Sequence, residues 1–383
     1  MKTSWLLIVA VILVWSCQKN KNTTQEKLKV APVSTASKLI IDTTYSIHEI
    51  IQDRDEQISK VRIGNTVYQS TARTYSLNDS ALLHTSIDTI EDVINVRRER
   101  AHSYVYSVKL SQDGKVVYDK KYTRPEFYSL LKEDLVMRSA PLAPQLRGVT
   151  NDGRVVFELA FVYPESDVGM MTFFTTDLKG NLLQMESLST SEGCYSSVAV
   201  SKSGKYFITC TTLYGPNGYE FSFQKPNIVH AEFLTDTSFV AIYDIISKSG
   251  KRIENGVQEY YEERDSISDN LIIYHVNGKK LASYKYHGYF QELGYTVPIA
   301  IIPEKNKLIL IDDGKQNMLS ISLASPSKFE EIKLSSLKRL NKRLEKGQNF
   351  EHELYVLGKK YFIYFFPEGI KYYVTEQYSE YEG

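Results

Sequence analysis

The sequence predicts an all-β protein built as a β-propeller, with six blades of four antiparallel strands and one or two short inserted helices. Three observations support this fold class. Short runs rich in Val, Ile, Tyr and Phe are typical of strands. Tight glycine turns recur between these runs. The resulting hairpins fall into units of roughly 40–55 residues, a period typical of propeller blades.

The composition is that of a folded chain without a basic excess. The chain has 383 residues, with 46 basic and 46 acidic side chains. Nucleic-acid-binding proteins usually carry a clear basic excess, so this balance argues against nucleic acid as a partner. Hydrophobic residues make up 42% and charged residues 24%, which is ordinary for a folded protein and wrong for a disordered one.

The N-terminus has the pattern of an export signal. Residues 5–15 form an unbroken apolar run, which as a helix would reach about 16 Å, roughly half of a bilayer core. We therefore predict a secretory signal over residues 1–16 rather than a membrane span. Residues 17–38 are polar and rich in Lys, Asn, Ser and Thr, which predicts a flexible tether before a single domain at residues 39–383.

The end of this signal resembles the lipobox of bacterial lipoproteins, in which a small residue precedes a cysteine. Ser16 and Cys17 fit that pattern. The resemblance implies that Cys17 begins the mature chain and carries acyl chains, including palmitate, which hold the protein on a membrane. Gln18 differs from the Asp of inner-membrane retention and no acidic export cluster follows, which implies an outer-membrane location facing the periplasm. The alternative is an ordinary cleaved signal with a chance cysteine.

Strand-like runs follow one another from residue 39 onward. Several are almost continuously apolar, which predicts strands that are covered on both faces. The clearest are residues 154–162, 205–211, 270–275, 307–311 and 359–366.

A recurring turn separates these runs: a polar pair, a glycine, and a basic or amide residue. Glycine adopts positive φ without steric cost, and a preceding Asp or Asn tolerates the left-handed region, as tight hairpins require. Six such turns predict successive antiparallel hairpins. Their glycines are Gly114, Gly153, Gly180, Gly204, Gly250 and Gly278.

The hairpins group into six units. The last unit needs a completing strand, which we place within residues 40–75, so that an N-terminal strand closes the ring and removes its open edge. The units span residues 78–122, 146–187, 195–228, 229–286, 296–334 and 352–383.

At residues 149–157 and 197–211 the chain resembles the bacterial periplasmic β-propeller lipoproteins of the TolB-like six-bladed group. The resemblance implies a propeller that works in the cell envelope. A β-sandwich remains the alternative, because the same hairpins would build it.

Two segments depart from the pattern of alternating strands and turns and are predicted to be helices. Residues 125–137 place apolar side chains on one helical stripe behind Pro125, which suits a helix start. Residues 335–347 place Leu337, Leu340 and Leu344 on one stripe, with a basic opposite face. That face could contact anionic lipid or an acidic partner, or be solvated.

Two further cysteines follow Cys17 in the chain. Cys194 and Cys210 flank a predicted hairpin, and in an oxidising compartment they could pair. Whether their side chains share a face depends on the turn register. We favour free, buried thiols over a disulfide.

Motifs for chemistry are scarce. The seven histidines are scattered, and the chain has no nucleophile elbow, phosphate-binding loop or dinucleotide-binding loop. We therefore predict no catalytic residues, no metal and no cofactor. Asp312 and Asp313 are a possible carboxylate pair, but neighbours on a strand point to opposite faces and make a poor shared site.

Two loops are rich in aromatic residues. Residues 213–223 and 286–295 contain the ligand-binding candidates, since Tyr offers apolar area together with a polar tip. The alternative is that these rings pack between blades. The candidates are Tyr214, Tyr219, Tyr289 and Tyr295.

These observations favour a monomeric, lipid-anchored envelope propeller that acts as a non-catalytic binding module for a protein, peptide or glycan. The alternative is an enzyme, a polysaccharide lyase or hydrolase with its site at the mouth of the propeller tunnel. An enzyme requires at least three His, Asp, Glu or Arg groups within about 10 Å, with shifted pKa values.

Overall fold

The computed structural model describes residues 40–45, 56–90, 93–132, 134–162, 168–188, 198–223, 227–254, 257–291, 295–345, 350–356 and 358–376. The predicted signal, the tether, Cys17 and Cys194 lie outside these residues. The chain divides into two compact units. The described part of the smaller unit is residues 40–42, Ser86–Ile90 and residues 93–97, and the larger unit holds the rest.

Strands account for most of the described residues. The first seven are β1 (Ile40–Tyr45), β2 (Gln57–Ile63), β3 (Thr66–Ser76), β4 (Leu82–Ile90), β5 (Val93–Ala101), β6 (Tyr104–Gln112) and β7 (Lys115–Thr123). Two helices follow, α1 (Arg124–Leu131) and α2 (Asp134–Arg138). The next nine strands are β8 (Ala140–Pro141), β9 (Gln145–Val149), β10 (Val155–Val162), β11 (Gly169–Thr176), β12 (Leu182–Ser187), β13 (Ala199–Val200), β14 (Phe207–Ile208), β15 (Thr212–Tyr214) and β16 (Glu220–Ser222).

The second half of the chain is also built from strands. They are β17 (Ile228–Thr235), β18 (Ser238–Tyr243), β19 (Ile246–Glu254), β20 (Val257–Arg264), β21 (Leu271–His275), β22 (Lys280–Tyr284), β23 (Phe290–Gln291), β24 (Tyr295–Thr296), β25 (Ile299–Ile302), β26 (Lys307–Asp312), β27 (Asn317–Ser322), β28 (Phe329–Lys333), β29 (Lys338–Arg339), β30 (Phe350–Val356), β31 (Lys359–Phe366) and β32 (Gly369–Glu376). Among the described residues, short 3₁₀ turns lie at Pro216–Gly218, between β15 and β16, and at Pro303–Lys305 and Leu334–Ser336.

Most strands pair with their neighbours in the chain. Within the described residues, the first sheet is β2-β3-β6-β7, and the second is β12-β11-β10 with β8 and β9 both on the far edge of β10. The third is β13-β14-β15-β16, the fourth β17-β18-β21-β22, the fifth β25-β26-β27-β28 and the sixth β29-β32-β31-β30. Three smaller sheets are β1-β5-β4, β19-β20 and β23-β24.

Consecutive sheets of the larger unit pack face to face, because the middle strands are apolar on both faces. In β18, Phe239 and Ala241 join the core shared with the third sheet, whereas Val240 and Ile242 join the core shared with the fifth. Side chains alternate between faces of a strand, so one continuous apolar run supplies two cores. The predicted two-sided cover of these strands is confirmed.

The same arrangement links all six sheets in chain order. Separate buried cores join the first to the second sheet, the second to the third, the third to the fourth, the fourth to the fifth, and the fifth to the sixth. Serial face-to-face packing of four-stranded meanders is the organisation of propeller blades, whereas a sandwich joins two sheets across one core. The chain is an all-β protein of the β-propeller class, and the blade number stays a prediction.

The N-terminal strands do not complete the last sheet as predicted. Among the described residues, β2 and β3 belong to the first sheet, and β1 pairs with β5. The fourth strand of the sixth sheet is instead β29, which runs parallel to β32, so this sheet is not wholly antiparallel. Strand β3 has nine residue pairs with β6, and this long register holds it in the first sheet.

Five of the six predicted glycine turns are present, with Gly114, Gly153, Gly180, Gly204 and Gly278 all at positive φ. The sixth prediction is wrong, because Gly250 lies inside β19 and pairs with Tyr261 on β20. Strand β19 continues to Glu254, and β20 begins at Val257.

The first predicted helix is confirmed as the pair α1 and α2. Thr123 caps α1, and its backbone N–H donates to Glu126 Oε2 at 2.8 Å. Phe127 is fully buried and packs edge-to-face on Tyr106, with ring centroids 4.8 Å apart. Helix α1 stops at Lys132, which adopts a left-handed conformation.

The second predicted helix is wrong. Over its described part, residues 335–345, the chain forms the end of a 3₁₀ turn and then β29. The backbone N–H of Leu340 donates to Tyr372 O at 2.7 Å, and Arg339 pairs with Tyr372 across the sheet. Pairing with β32 outweighs the helical periodicity of the leucines.

The preference for free thiols is also wrong, because Cys210 is disulfide-bonded. Cys210 is buried, as predicted. The chain has three cysteines, so the partner is Cys17 or Cys194, both outside the described residues.

Among the described residues, no helix is both long and apolar enough to cross a membrane.

Raising the pH tests the buried tyrosines. Burial raises the pKa of Tyr118 to about 12 and raises those of Tyr106 and Tyr286 further. An unfolded tyrosine ionises at its ordinary pKa of 10.0. These tyrosines therefore stabilise the fold fully below pH 10, and that stabilisation is lost as the pH rises through about 12. The chain has 28 tyrosines, and the buried ones should ionise last, so the final rise in tyrosinate absorbance should accompany the loss of β circular dichroism. Ionisation of every tyrosine with the fold intact would contradict this account.

Candidate functional site

Polar side chains gather where apolar strands end. The turn Asp312–Gln316 joins β26 to β27, and its two carboxylates face different neighbours. Asp312 Oδ2 accepts a hydrogen bond from the backbone N–H of His287, at the junction with the fourth sheet, at 3.0 Å. Asp313 Oδ1 accepts one from Tyr361 Oη of the sixth sheet at 2.9 Å. The prediction that Asp312 and Asp313 do not share one site is confirmed.

On the side of the fourth sheet, three side chains converge on a buried carboxylate, and we call this group the Asp244 network. Tyr289 Oη donates to Asp244 Oδ1 at 2.7 Å, and Tyr295 Oη donates to Oδ2 at 3.1 Å. Arg264 Nε donates to the same Oδ2 at 2.9 Å. The Asp244 side chain is 2% exposed and that of Arg264 is 53% exposed, so the network reaches from the interior to the surface.

The network joins elements that are distant in the chain. Asp244 directly follows β18, and Arg264 is the last residue of β20. Tyr289 directly precedes β23, and Tyr295 is the first residue of β24. Burial disfavours the guanidinium charge, but the hydrogen bond and charge of Asp244 dominate and raise the pKa of Arg264. Burial, reinforced by Asp244, raises the pKa of Tyr289. Both groups therefore stay protonated and act as donors that fix the connection between the fourth and fifth sheets.

A second set of polar groups lies beside this network. Asn270 donates through Nδ2 to Tyr286 O at 2.9 Å and accepts from Tyr286 N at 2.7 Å. Tyr286 Oη donates to Ile311 O at 2.8 Å. These bonds satisfy a fully buried tyrosine hydroxyl, which would otherwise be costly.

His287 and two lysines lie on the exposed side of this junction. Burial lowers the pKa of His287 although Asp312 opposes the shift, and the charges of Lys285 and Lys315 lower it further. Burial lowers the pKa of Lys285 as well. The lowered pKa of His287 favours a neutral imidazole beside an acid and two lysines.

On the other side of the Asp312–Gln316 turn lies a cleft between the fifth and sixth sheets, which we call the Arg339 cleft. Its volume is about 460 Å³, within the size range of small-ligand sites. Its walls are mainly aromatic, cationic and amide groups. The polar and aromatic lining residues are Gln316, Arg339, Lys359, Tyr361, Tyr372 and Thr375.

The floor of the Arg339 cleft is fixed by hydrogen bonds to Asp313. Its Oδ1 accepts from Tyr361 Oη and from Gln316 Nε2, each at 2.9 Å, and Lys359 Nζ lies 3.6 Å from its Oδ2. Tyr361 is 3% exposed and stacks on Tyr372, with ring centroids 6.3 Å apart. Burial, with Asp313, raises the pKa of Tyr361, so its hydroxyl remains a donor.

The four predicted tyrosines fall in three separate places. Tyr289 and Tyr295 come together in the Asp244 network, with ring centroids 6.0 Å apart. Tyr214 is 3% exposed and stacks on Phe207 between the second and third sheets, with centroids 4.4 Å apart. Tyr219 is half-buried against the core of the third and fourth sheets.

The residues that form the Arg339 cleft were not predicted as a site. The sequence pattern places Arg339 on the basic face of a helix that does not form. The tyrosines of β31 and β32 have the pattern of ordinary strand residues. The remaining signal was the acidic turn before β27, which marks an abrupt polar break in an apolar run. Among the described residues, no group of three or more His, Cys, Asp or Glu is placed to hold a metal ion.

No protein-family model and no curated protein matches the chain. Among solved structures, the β-propeller domain of the Trilobed protease from Pyrococcus furiosus is 12% identical, with a TM-score of 0.27, over 85% of this chain and 83% of that one. A putative glycoside hydrolase from Parabacteroides distasonis is 13% identical, with a TM-score of 0.22, over 86% and 88%. A glycosyl hydrolase from Bacteroides ovatus is 12% identical, with a TM-score of 0.22, over 85% of both chains. At such TM-scores these likenesses place no constraint on what this chain does.

Replacing Asp244 by Asn tests the network as a structural tie. The amide cannot accept all three hydrogen bonds, so Asp244→Asn should lower the free energy of unfolding by about 1–3 kcal/mol. Urea unfolding followed by circular dichroism measures the change. The control Glu259→Gln, in an exposed pair with Arg252 at 3.5 Å, should shift it by less than about 1 kcal/mol. Equal shifts in the two variants would contradict a special role for Asp244.

Proposed function

We propose that the chain is a lipid-anchored binding module of the bacterial outer membrane, which holds a protein, peptide or glycan ligand without catalysing its reaction. The observation that carries the proposal is the Arg339 cleft. It combines a volume suited to a ligand with a stacked tyrosine pair and two cationic side chains. Pockets with a few placed polar groups and aromatic walls are the usual form of binding sites.

The lipid anchor rests on Cys17 and its lipobox-like surroundings. The disulfide at Cys210 supports export, because such bonds persist in oxidising compartments such as the periplasm. Acylation of Cys17 leaves Cys194 as the partner of Cys210. The proposed location is the periplasmic side of the outer membrane.

The bonding of the acidic groups favours binding over catalysis. Asp313 and Asp244 each accept hydrogen bonds or face a cation at both carboxylate oxygens. Carboxylates whose oxygens are all occupied by neighbouring donors and cations hold other groups in place, which is a supporting role.

The alternative function is a polysaccharide-acting enzyme. The observation that favours it is the convergence of Asp312, His287 and Lys285, with lowered pKa values for the histidine and the lysine. Polysaccharide cleavage that is lost in His287→Gln and retained in Tyr372→Ala would establish this alternative.

Capture of ligand from envelope extract tests the binding proposal. We expect the immobilised full chain to retain a specific ligand, and Tyr372→Ala to reduce capture by about tenfold, since aromatic anchors dominate such sites. Tyr355→Ala is the matched control, because Tyr355 is 46% exposed on the same sheet but outside the cleft. Equal capture by the two variants would remove the Arg339 cleft as the binding site.

Labelling with palmitate tests the anchor. The wild-type chain should incorporate label and sediment with membranes, and Cys17→Ala should lose both, since several acyl chains are needed for stable attachment. Mass spectrometry of an unreduced digest should also find Cys194 linked to Cys210. Membrane attachment that survives Cys17→Ala, or a disulfide to Cys17, would overturn the lipoprotein assignment.

A further inference from the structure

Charge in the Arg339 cleft is unbalanced. The carboxylate of Asp313 is met by Tyr361, Gln316 and Lys359, so the charge of Lys359 is compensated within the cleft. The guanidinium of Arg339 has no hydrogen bond or ion pair in the part of the chain that the structure describes, whereas its backbone pairs with Tyr372. The cleft therefore presents one guanidinium with its donors available to a ligand.

Strand register places this guanidinium beside an aromatic ring. Strand β29 runs parallel to β32, with Arg339 opposite Tyr372, so the two side chains share a face. The hydrogen bond from Leu340 N to Tyr372 O, at 2.7 Å, holds that register. Tyr372 is backed by the buried Tyr361, with their ring planes 24° apart. The cleft thus offers a planar donor group and a supported aromatic ring on one wall.

From this arrangement we infer that the Arg339 cleft binds an acidic saccharide, recognised by a carboxylate on the sugar. The inference rests on the proposed binding function and specifies its ligand. A guanidinium pairs with a carboxylate through two parallel hydrogen bonds, which a lysine cannot reproduce. The tyrosine ring supplies apolar contact for a sugar ring, and Gln316 and Thr375 add groups that suit hydroxyls.

The same geometry disfavours an extended peptide. A peptide would bind most readily by adding a strand to a free sheet edge. At Lys371 and Tyr372, β29 already occupies the edge of β32. Of the lining residues, only Leu334 and Val374 are aliphatic, so apolar pockets for peptide side chains are few.

Calorimetric titration of the full acylated chain in detergent micelles tests the inference. A short oligogalacturonate should bind, and the same oligomer with its carboxylates methyl-esterified should bind at least about tenfold more weakly. Arg339→Gln should weaken binding of the acid oligomer by about tenfold and reduce its salt dependence. Arg339→Lys should recover only part of the affinity, because the ammonium group lacks the planar pair of donors.

Lys60→Gln is the matched control, since Lys60 lines a different cleft of about 450 Å³ on the first sheet. It should bind the acid oligomer as the wild type does. Equal binding of the esterified oligomer, unchanged binding by Arg339→Gln, or equally tight binding of a polyglutamate peptide would overturn the inference. If no uronate binds while envelope capture still depends on Tyr372, the ligand class is wrong and the binding function stands. Capture that is independent of Tyr372 would contradict the proposed function itself.

Discussion

The structure depends on burying both faces of the strands in the middle of each sheet. In β26, Leu308 and Leu310 pack toward the fourth sheet, while Ile309 and Ile311 pack toward the sixth. A strand that is apolar on both faces is stable only between two neighbours, so each sheet requires the next. The serial packing of sheets follows directly from this constraint. In β18 and β26 the charged groups lie at or just beyond the strand ends, where the connections lie.

The position of the polar groups is thus a consequence of the packing. Asp244 is the first polar residue after the apolar run of β18, and Asp312 is the last residue of the apolar run of β26. Each is 1% exposed, and each accepts hydrogen bonds from a neighbouring connection. A carboxylate buried at a strand end must find donors, and connecting segments supply them. The loops are consequently fixed to the sheets, which gives any ligand site there a rigid support.

Features that depend on a few neighbouring residues could be predicted from the sequence. Features that depend on pairing between distant strands could not. Five turn glycines and the two-faced strands could be predicted because each signal lies within a few residues. The helix expected at residues 335–347 failed because its backbone pairs with Tyr372, far along the chain. Tyr289 and Tyr295 were predicted from a loop rich in aromatic residues. Asp244 could not be predicted from the sequence, because its partner Arg264 comes near only when β18 and β20 are placed together. Arg339 was missed for the same reason.

Hydrogen bonds to Asp313 make the floor of the Arg339 cleft rigid, while the guanidinium at its rim stays available to a ligand. Tyr361 is buried and hydrogen-bonded to Asp313, so its ring cannot reorient when a ligand arrives. Lys359 lies 3.6 Å from the same carboxylate, which compensates its charge before any ligand is present. The loss of side-chain entropy on binding would then fall mainly on the exposed Arg339. Its planar guanidinium loses little conformational freedom for each hydrogen bond that it forms. A fixed floor with one adaptable donor at its rim would suit selection of the proposed ligand by its charge, because the groups already hydrogen-bonded to Asp313 need not move on binding.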